Sequence, residues 1–246
     1  MAVAATAVLA ILLTATPGSA LAATALGSGT AVVTTGVRES YAVSMATSYW
    51  SVVATVGYQG GQSDIALSGP TGTTVGRSAE GFGTVDWVAV DNNSGRHPLG
   101  AYTADVTSTT DGGRPTTHLT QFVGGDKVLA ASQPESVVGM ANGPWLVDVR
   151  DINLQAGRTV TFTVRGLDSI DSVTVLQSTP DPTTWTRTRG AAALSVEMPK
   201  ADTDQQTYSF TYTAPASGWY GVVFESRGWS RWVGQSSAGV GHVSVS

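Results

Sequence analysis

The chain contains no cysteine among its 246 residues. Disulfide bridges, thiolate metal sites, cysteine nucleophiles and a lipid-modified N-terminal cysteine are therefore excluded. Charged residues make up only 13% of the sequence, lysine occurs only at positions 127 and 200, and the formal net charge is −5. Because nucleic-acid binding requires a clustered basic surface, this scattered and slightly acidic charge argues against a nucleic-acid partner.

The sequence also lacks the run of about 20 apolar residues that a transmembrane helix requires. Its apolar stretch at 2–13 is shorter and is followed by a Pro-Gly break and by Ala20-Leu21-Ala22. Such a pattern is typical of a secretory signal peptide, although no Lys or Arg precedes it. We expect residues 1–23 to be a cleaved signal peptide, with an uncleaved anchor as the alternative. The mature protein is then secreted or at the cell surface and has no membrane span.

What the sequence does contain is Gly, Thr, Ser and Val in abundance, with seven Trp and seven Tyr. This composition is typical of strands and turns, and it argues against disorder. Two segments also repeat one pattern. GAYTADV at 100–106 and GWYGVVF at 218–224 both place a Tyr two residues after a Gly, at the start of an alternating run.

The similarity extends upstream, where SVVATV at 51–56 and TVTFTV at 159–164 alternate in the same way. We expect two matching cores, in which Val52, Ala54 and Val56 correspond to Val160, Phe162 and Val164, and in which Tyr102 and Tyr220 are buried. One apolar and one polar side per strand indicates stacked antiparallel sheets. The predicted fold is all-β, with two tandem antiparallel β-sandwich domains at 24–124 and 141–246 and a linker at 125–140.

Two motifs carry a family resemblance, SDIALSGPTG at 63–72 and TYSFTYTAPASGWYGVVF at 207–224. The first resembles the middle, and the second the end, including Ser217, Gly218 and Tyr220, of the pattern of the bacterial pre-peptidase C-terminal domain. Each copy departs from the pattern elsewhere, since Pro98 lies closer to its Tyr and Asp171 comes one place early. The resemblance implies jelly-roll-like β-sandwiches, usually appended to secreted hydrolases and adhesive surface proteins, without catalytic residues.

The residues offer no recognisable catalytic constellation. There is no G-x-S-x-G motif, and the three histidines, His97, His118 and His242, are not spaced as members of a triad or as zinc ligands on a helix. Paired carboxylates such as Asp148 and Asp151 are interpreted as turn formers or exposed strand residues. We therefore predict that the protein is not an enzyme and needs no cofactor.

A calcium site requires several clustered oxygen ligands, and the carboxylates and carbonyls of acidic turns can supply them. Asp64, Asp168 and Asp171 are weak candidates, at separate sites in the two copies, and we expect no strong metal site.

The tail of the second copy carries an aromatic and basic cluster. Trp219 alternates with Tyr220 and so faces outward, and further residues follow closely, namely Trp229, Trp232, Arg227 and Arg231. Exposed Trp and Arg are what a carbohydrate or protein ligand would contact. The alternative is that these tryptophans seal a joint between the two domains.

The sequence thus predicts a secreted, non-catalytic tandem binding module whose partner is a glycan or a protein. The resemblance is compatible with a role as an accessory to a secreted hydrolase. One alternative is a purely structural cell-surface or spacer protein. The other is a hydrolase with an unrecognised site.

Overall fold

The computed structural model describes residues 23–46, 49–58, 61–93, 99–110, 112–125, 127–131, 135–139, 145–166, 170–178, 185–199, 206–227 and 241–246. As the composition predicts, these residues are nearly all β: they form eighteen strands in four sheets and one 3-10 turn at Arg189–Ala191. Residues 1–22 of the predicted signal peptide lie outside the described part. In the described residues, no helix is long and apolar enough to cross a membrane.

Within each sheet, strands that follow one another in spatial order are hydrogen-bonded to each other. Sheet 1 contains β1 (Thr24–Ala25), β3 (Arg38–Met45), β8 (Gly100–Thr109), β5 (Gln62–Ser68) and β6 (Thr74–Ser78). Sheet 2 contains β14 (Thr186–Arg187), β7 (Asp86–Val90), β4 (Ser51–Gly57), β9 (Thr116–Gly124) and β2 (Thr30–Gly36). Sheet 3 contains β11 (Val147–Leu154), β17 (Gly218–Glu225), β13 (Ser172–Gln177) and β15 (Leu194–Glu197). Sheet 4 contains β10 (Ser136–Val138), β18 (Gly241–Val245), β12 (Thr159–Arg165) and β16 (Thr207–Thr213).

The two halves of the chain share one strand topology. The order β3-β8-β5-β6 in sheet 1 corresponds to β11-β17-β13-β15 in sheet 3, and β2-β9-β4-β7 in sheet 2 corresponds to β10-β18-β12-β16 in sheet 4. Neighbouring strands are antiparallel throughout, apart from the short parallel pair β1–β3. The repeat seen in the sequence is therefore a repeat of structure.

Each half encloses its own apolar core between two sheets. Tyr102 lies in the core between sheets 1 and 2, and Tyr220 lies in the core between sheets 3 and 4. Their exposed fractions are 0% and 1%, so the predicted burial of both tyrosines is confirmed.

A third apolar cluster lies between the halves, and we call it the joint. It packs sheet 2 against sheet 3 and includes Trp50 and Trp87 from the first half and Val149, Leu176 and Val223 from the second. Because both sides of sheets 2 and 3 are covered, every residue of β4 and β7 is buried. The four sheets therefore stack as consecutive layers, with sheets 1 and 4 outermost.

One detail of the predicted repeat is wrong. Val52, Ala54 and Val56 of β4 belong to the joint, whereas Val160, Phe162 and Val164 of β12 point into the core of their own half. The residue of β4 that points into its own core is Val53. Since successive side chains of a strand point to opposite sides, the alignment is displaced by one residue at these strands. The pattern misled because β4 is apolar on both sides.

Sheet 4 ends the stack with a polar surface. Threonine and serine side chains of β12 and β16 face away from the core, and all are exposed or half-buried. Two cross-strand hydroxyl pairs, Thr159–Thr213 at 2.7 Å and Thr163–Ser209 at 2.9 Å, connect these strands. This surface corresponds to the apolar side of sheet 2 that the joint covers.

Candidate functional site

The predicted tail cluster is only partly within the described residues, because Trp229, Arg231 and Trp232 lie outside them. Trp219 is half-buried and lies on the same side of β17 as Gly221 and Val223, which is the side facing the joint. Arg227 follows the other end of that strand, so roughly 26 Å of extended chain separates the two residues. Trp219 and Arg227 are therefore not brought together, and the binding role of the cluster stays a prediction.

The guanidinium of Arg227 is held by carboxylates of its own half. It donates to both carboxylate oxygens of Glu197 at 2.9 Å and to Oε1 of Glu225 at 2.7 Å. Burial alone would lower the pKa of Arg227, but the two carboxylates raise it above its ordinary value. Arg227 remains a cation in this ion-pair network.

Asp64 and Asp171, the two calcium candidates within the described residues, lie in different halves, as the sequence predicts. Asp64 accepts a hydrogen bond from Nε2 of Gln62 at 2.8 Å, and Oδ2 of Asp171 accepts one from the backbone N of Arg227 at 2.5 Å. Asp168 lies outside the described residues. Within the described ranges, no three His, Asp or Glu side chains group as a metal site.

The two described histidines have structural surroundings. His118 is fully buried, and burial lowers its pKa to about 4. His242 lies at the surface of sheet 4, where its Nδ1 is 3.5 Å from a carboxylate oxygen of Glu135. His97 lies outside the described residues.

Among the described residues, polar contacts cross the joint at three places. Oε1 of Gln121 accepts the backbone N–H groups of Leu146 at 2.7 Å and Val147 at 3.0 Å. At the second place, the indole Nε1 of Trp87 donates to the Glu225 carboxylate at 3.2 Å. Arg189, which donates to the same oxygen, also donates across the joint to the backbone O of Val85 at 3.1 Å.

The third contact is made by Asp151, which is fully buried. Its Oδ1 accepts the backbone N of Trp50 at 3.2 Å and Nδ2 of Asn93 at 2.5 Å. Burial, reinforced by the charge of Asp91, raises the pKa of Asp151 to about 7. The interpretation of Asp148 and Asp151 as exposed or turn residues is therefore wrong: both are buried in β11, because this strand is covered on both sides.

Beside these contacts, the end of β9 and the start of β11 line a polar cleft of about 190 Å³. Residues from both halves contribute to its walls, among them Ser28, Gln121, Lys127, Val147, Asp148 and Arg150. The cleft thus exists only because the two halves are packed together. Sites between structural units are where proteins commonly bind small ligands.

Two of the charged groups in the cleft neutralise each other. Nη1 of Arg150 donates to Oδ1 of Asp148 at 2.5 Å, and Arg150 is 2% exposed. The second carboxylate oxygen of Asp148 accepts the backbone N of Gly139 at 2.6 Å. Removing either partner of a buried pair of this kind would leave an uncompensated buried charge, which is strongly destabilising.

Lys127 is the remaining charge among the residues that line the cleft. Its side chain is exposed and, in the part of the chain that the structure describes, forms no ion pair. Among the described residues, the cleft therefore presents one ammonium group without an ion-pair partner, beside hydroxyl and amide groups. This arrangement can bind a polar ligand with an anionic group. The described lining residues include no nucleophile paired with a base, so they do not form a recognisable hydrolytic site.

Sequence reasoning missed the cleft. Its residues come from separate positions of the chain, so no local motif contains them. The available signal was the pair Asp148 and Arg150 inside the otherwise apolar run at 145–150, since charges in a covered strand must be paired. No protein-family model matches the chain, and no curated protein matches it either.

Proposed function

We propose that the protein is a secreted, non-catalytic pair of β-sandwich modules that binds an acidic glycan through the cleft between β9 and β11. The observation that carries this proposal is the cleft itself, which is polar, is built from both halves and contains Lys127, a cation with no ion pair among the described residues. Secretion and the relation to the pre-peptidase C-terminal domain are part of the proposal and rest on the sequence patterns.

The size and lining of the cleft favour a glycan over a protein as the ligand. Its volume of about 190 Å³ is below that of a site for a drug-sized ligand, so it accommodates one sugar residue of a longer chain. A sugar offers hydroxyl groups to Ser28, Gln121 and Asp148. A carboxylate or sulfate on that sugar forms a charge-assisted hydrogen bond with Lys127, which is stronger than a neutral one.

Binding of the full chain to an array of acidic and neutral glycans tests the proposal. We expect retention of glycans with an acidic terminal residue and loss of retention as salt is added, because salt screens an exposed charge. Lys127→Gln should weaken binding about tenfold, as expected for one charge-assisted hydrogen bond.

Arg38→Gln is the matched control, since it removes one cation from a side chain that is 71% exposed on β3, in sheet 1. It should leave binding unchanged. Failure of the wild-type protein to retain any acidic glycan, or equal weakening by both variants, would contradict the proposal.

The predicted tail cluster offers a second contact region under the same proposal. If Trp219, Trp229 and Trp232 contact a ligand, each replacement by Ala should reduce retention while changing stability by less than about 1 kcal/mol. Loss of stability at all three positions would instead assign them to packing between the halves.

A structural or spacer role is the second candidate, and the joint favours it. The apolar contact and the buried hydrogen bonds of Gln121, Trp87 and Asp151 tie the halves together, and a rigid spacer needs such a connection. Small-angle X-ray scattering should then give one fixed distance between the halves. The chain should also bind no glycan on the array.

A further inference from the structure

The last strand of sheet 4, β16, has a free outer edge in the described part of the chain. Its inner edge pairs with β12 over seven residues, from Thr207–Arg165 to Thr213–Thr159. No described strand pairs with its other edge. A strand edge of this kind exposes a row of unpaired N–H and C=O groups, which can pair with another chain.

The corresponding edge in the first half is occupied. There β14 pairs with β7, with Thr186 opposite Val90 and Arg187 opposite Ala89. The preceding Trp185 packs against the first core. The fold therefore already uses this edge of the shared topology to bind an additional strand, and within the described ranges only the second copy leaves it open.

The backbone directions show which residues of β16 are available. Ala214 donates its N–H to Arg158 and accepts the N–H of Gly157, so its polar groups point toward β12. Successive residues of a strand point their polar groups to alternate edges. The backbone groups of Thr207, Ser209, Thr211 and Thr213 consequently point outward.

The sequence of β16, TYSFTYT, is almost the same in both directions. Two copies of the strand placed antiparallel about Phe210 pair Thr207 with Thr213 and Ser209 with Thr211. These are the residues whose backbone groups point outward. Tyr208 then lies opposite Tyr212, so the apolar side chains of both copies share one side and the hydroxyl side chains share the other.

The strand also lacks the features that keep natural edges from pairing. It contains no charge and no proline, and its pairing with β12 shows no bulge. Phe210 and Tyr212 are 9% and 7% exposed, more than the fully buried residues of the inner strands, because no described strand covers them from the side.

We propose that two copies of this chain pair through β16 to form a symmetric dimer with a continuous eight-stranded sheet. A two-fold axis through Phe210 makes the contact isologous, so it closes at two chains and does not propagate. The proposal does not depend on the cleft between β9 and β11, and either can fail without the other.

A charge-reversal series on the full chain tests the pairing and its register. The wild-type protein should be dimeric by analytical ultracentrifugation at micromolar concentration. Ser209→Lys combined with Thr211→Lys places two lysines opposite two lysines and should weaken the dimer by at least about tenfold, since like charges directly opposite are destabilising. Ser209→Glu combined with Thr211→Lys places opposite charges in each pair and should restore it.

Thr161→Lys combined with Thr163→Lys is the matched control, because it adds the same charge to the same side of sheet 4 on an inner strand. It should leave the dimer intact. Circular dichroism verifies that each variant folds, and hydrogen exchange of the wild-type protein adds a readout without any substitution. The amides of Ser209 and Thr211 should be protected in the dimer.

A monomeric wild-type protein with fast exchange at these two amides would overturn the proposal. A dimer that the paired lysines leave unchanged would overturn it as well, because the contact would then lie elsewhere.

Discussion

Gly221 shows how a single residue without a side chain permits the joint. A Cβ atom at this position would lie 2.7 Å from Cδ2 of the Trp50 indole, closer than carbon atoms can approach. Gly221, which follows the Tyr of GWYGVVF in the second copy, therefore packs directly against Trp50 of the first copy. The corresponding position in the first copy is Thr103, which lies on the uncovered side of sheet 1.

We expect Gly221→Ala to destabilise the protein by about 1–3 kcal/mol, the usual cost of overpacking a well-packed interior. Gly81→Ala is the control, because nothing lies within 4 Å of a Cβ at that position. It should change the free energy of unfolding by less than about 0.5 kcal/mol. Urea denaturation measures both, and equal stability of the two variants would show that the Trp50 contact has no energetic weight.

Tyr220 combines ring packing with two hydrogen bonds to Ala216: its hydroxyl donates to the backbone O at 2.6 Å and accepts the backbone N–H at 3.4 Å. Tyr220→Ala should cost about 3–5 kcal/mol, as for other large-to-small changes in a core. Tyr220→Phe keeps the ring and should cost about 1–2 kcal/mol, the net value of the hydroxyl's hydrogen bonds. Thermal and urea unfolding should show this order, and a Phe variant as unstable as the Ala variant would contradict it.

Among the elements, strands with one covered side were predictable and strands with two were not. The alternation in β8 and β12, on the outer sheets 1 and 4, placed Tyr102 and Phe162 correctly in cores. In β4, valine and alanine occupy both sides, so alternation cannot distinguish the core from the joint. The cleft was unpredictable for a related reason, since Gln121 of β9 and Arg150 of β11 line it together only through packing between the halves.

The short strand β14 is an element that the second half contributes to the first. It pairs with β7, the backbone N of Asp91 donates to the O of Trp185 at 2.7 Å, and Thr186 donates its hydroxyl to the O of Val75. This connection holds the halves together in addition to the apolar joint.

Trp185→Ala should cost about 2–3 kcal/mol, at the low end for an aromatic truncation because the ring is only half-buried. It should also release β14, so hydrogen exchange at the outer amides of β7 should accelerate more than that at β5. Uniform acceleration across the first half would show that Trp185 contributes only to general stability.

At the scale of the whole molecule, the joint makes stability depend on pH through Asp151. Its pKa is about 7 in the folded protein and about 4 in the unfolded chain, so the folded state retains its proton over this interval while the unfolded chain loses it. The stabilisation is complete below pH 4 and is lost as the pH rises to 7.

Asp151→Asn removes this titration. We therefore expect the free energy of unfolding of the wild-type protein to fall relative to that of the variant between pH 4 and pH 8. Asp86, whose pKa burial raises to about 6, and His118, whose pKa burial lowers to about 4, remain in both proteins and cancel in the comparison. Denaturation curves at four pH values measure the difference, and parallel pH profiles would contradict the prediction.

The direction of stacking means that the two repeats cannot exchange places. Sheet 2 presents tryptophan, valine and alanine to its neighbour, whereas sheet 4, at the same position of the second repeat, presents threonine and serine. A chain that ended with a copy of the first repeat would end on a sheet like sheet 2, and the residues equivalent to Trp50 and Trp87 would be uncovered. An uncovered apolar surface of this kind is prone to association with other chains, so the polar surface of sheet 4 ends the stack.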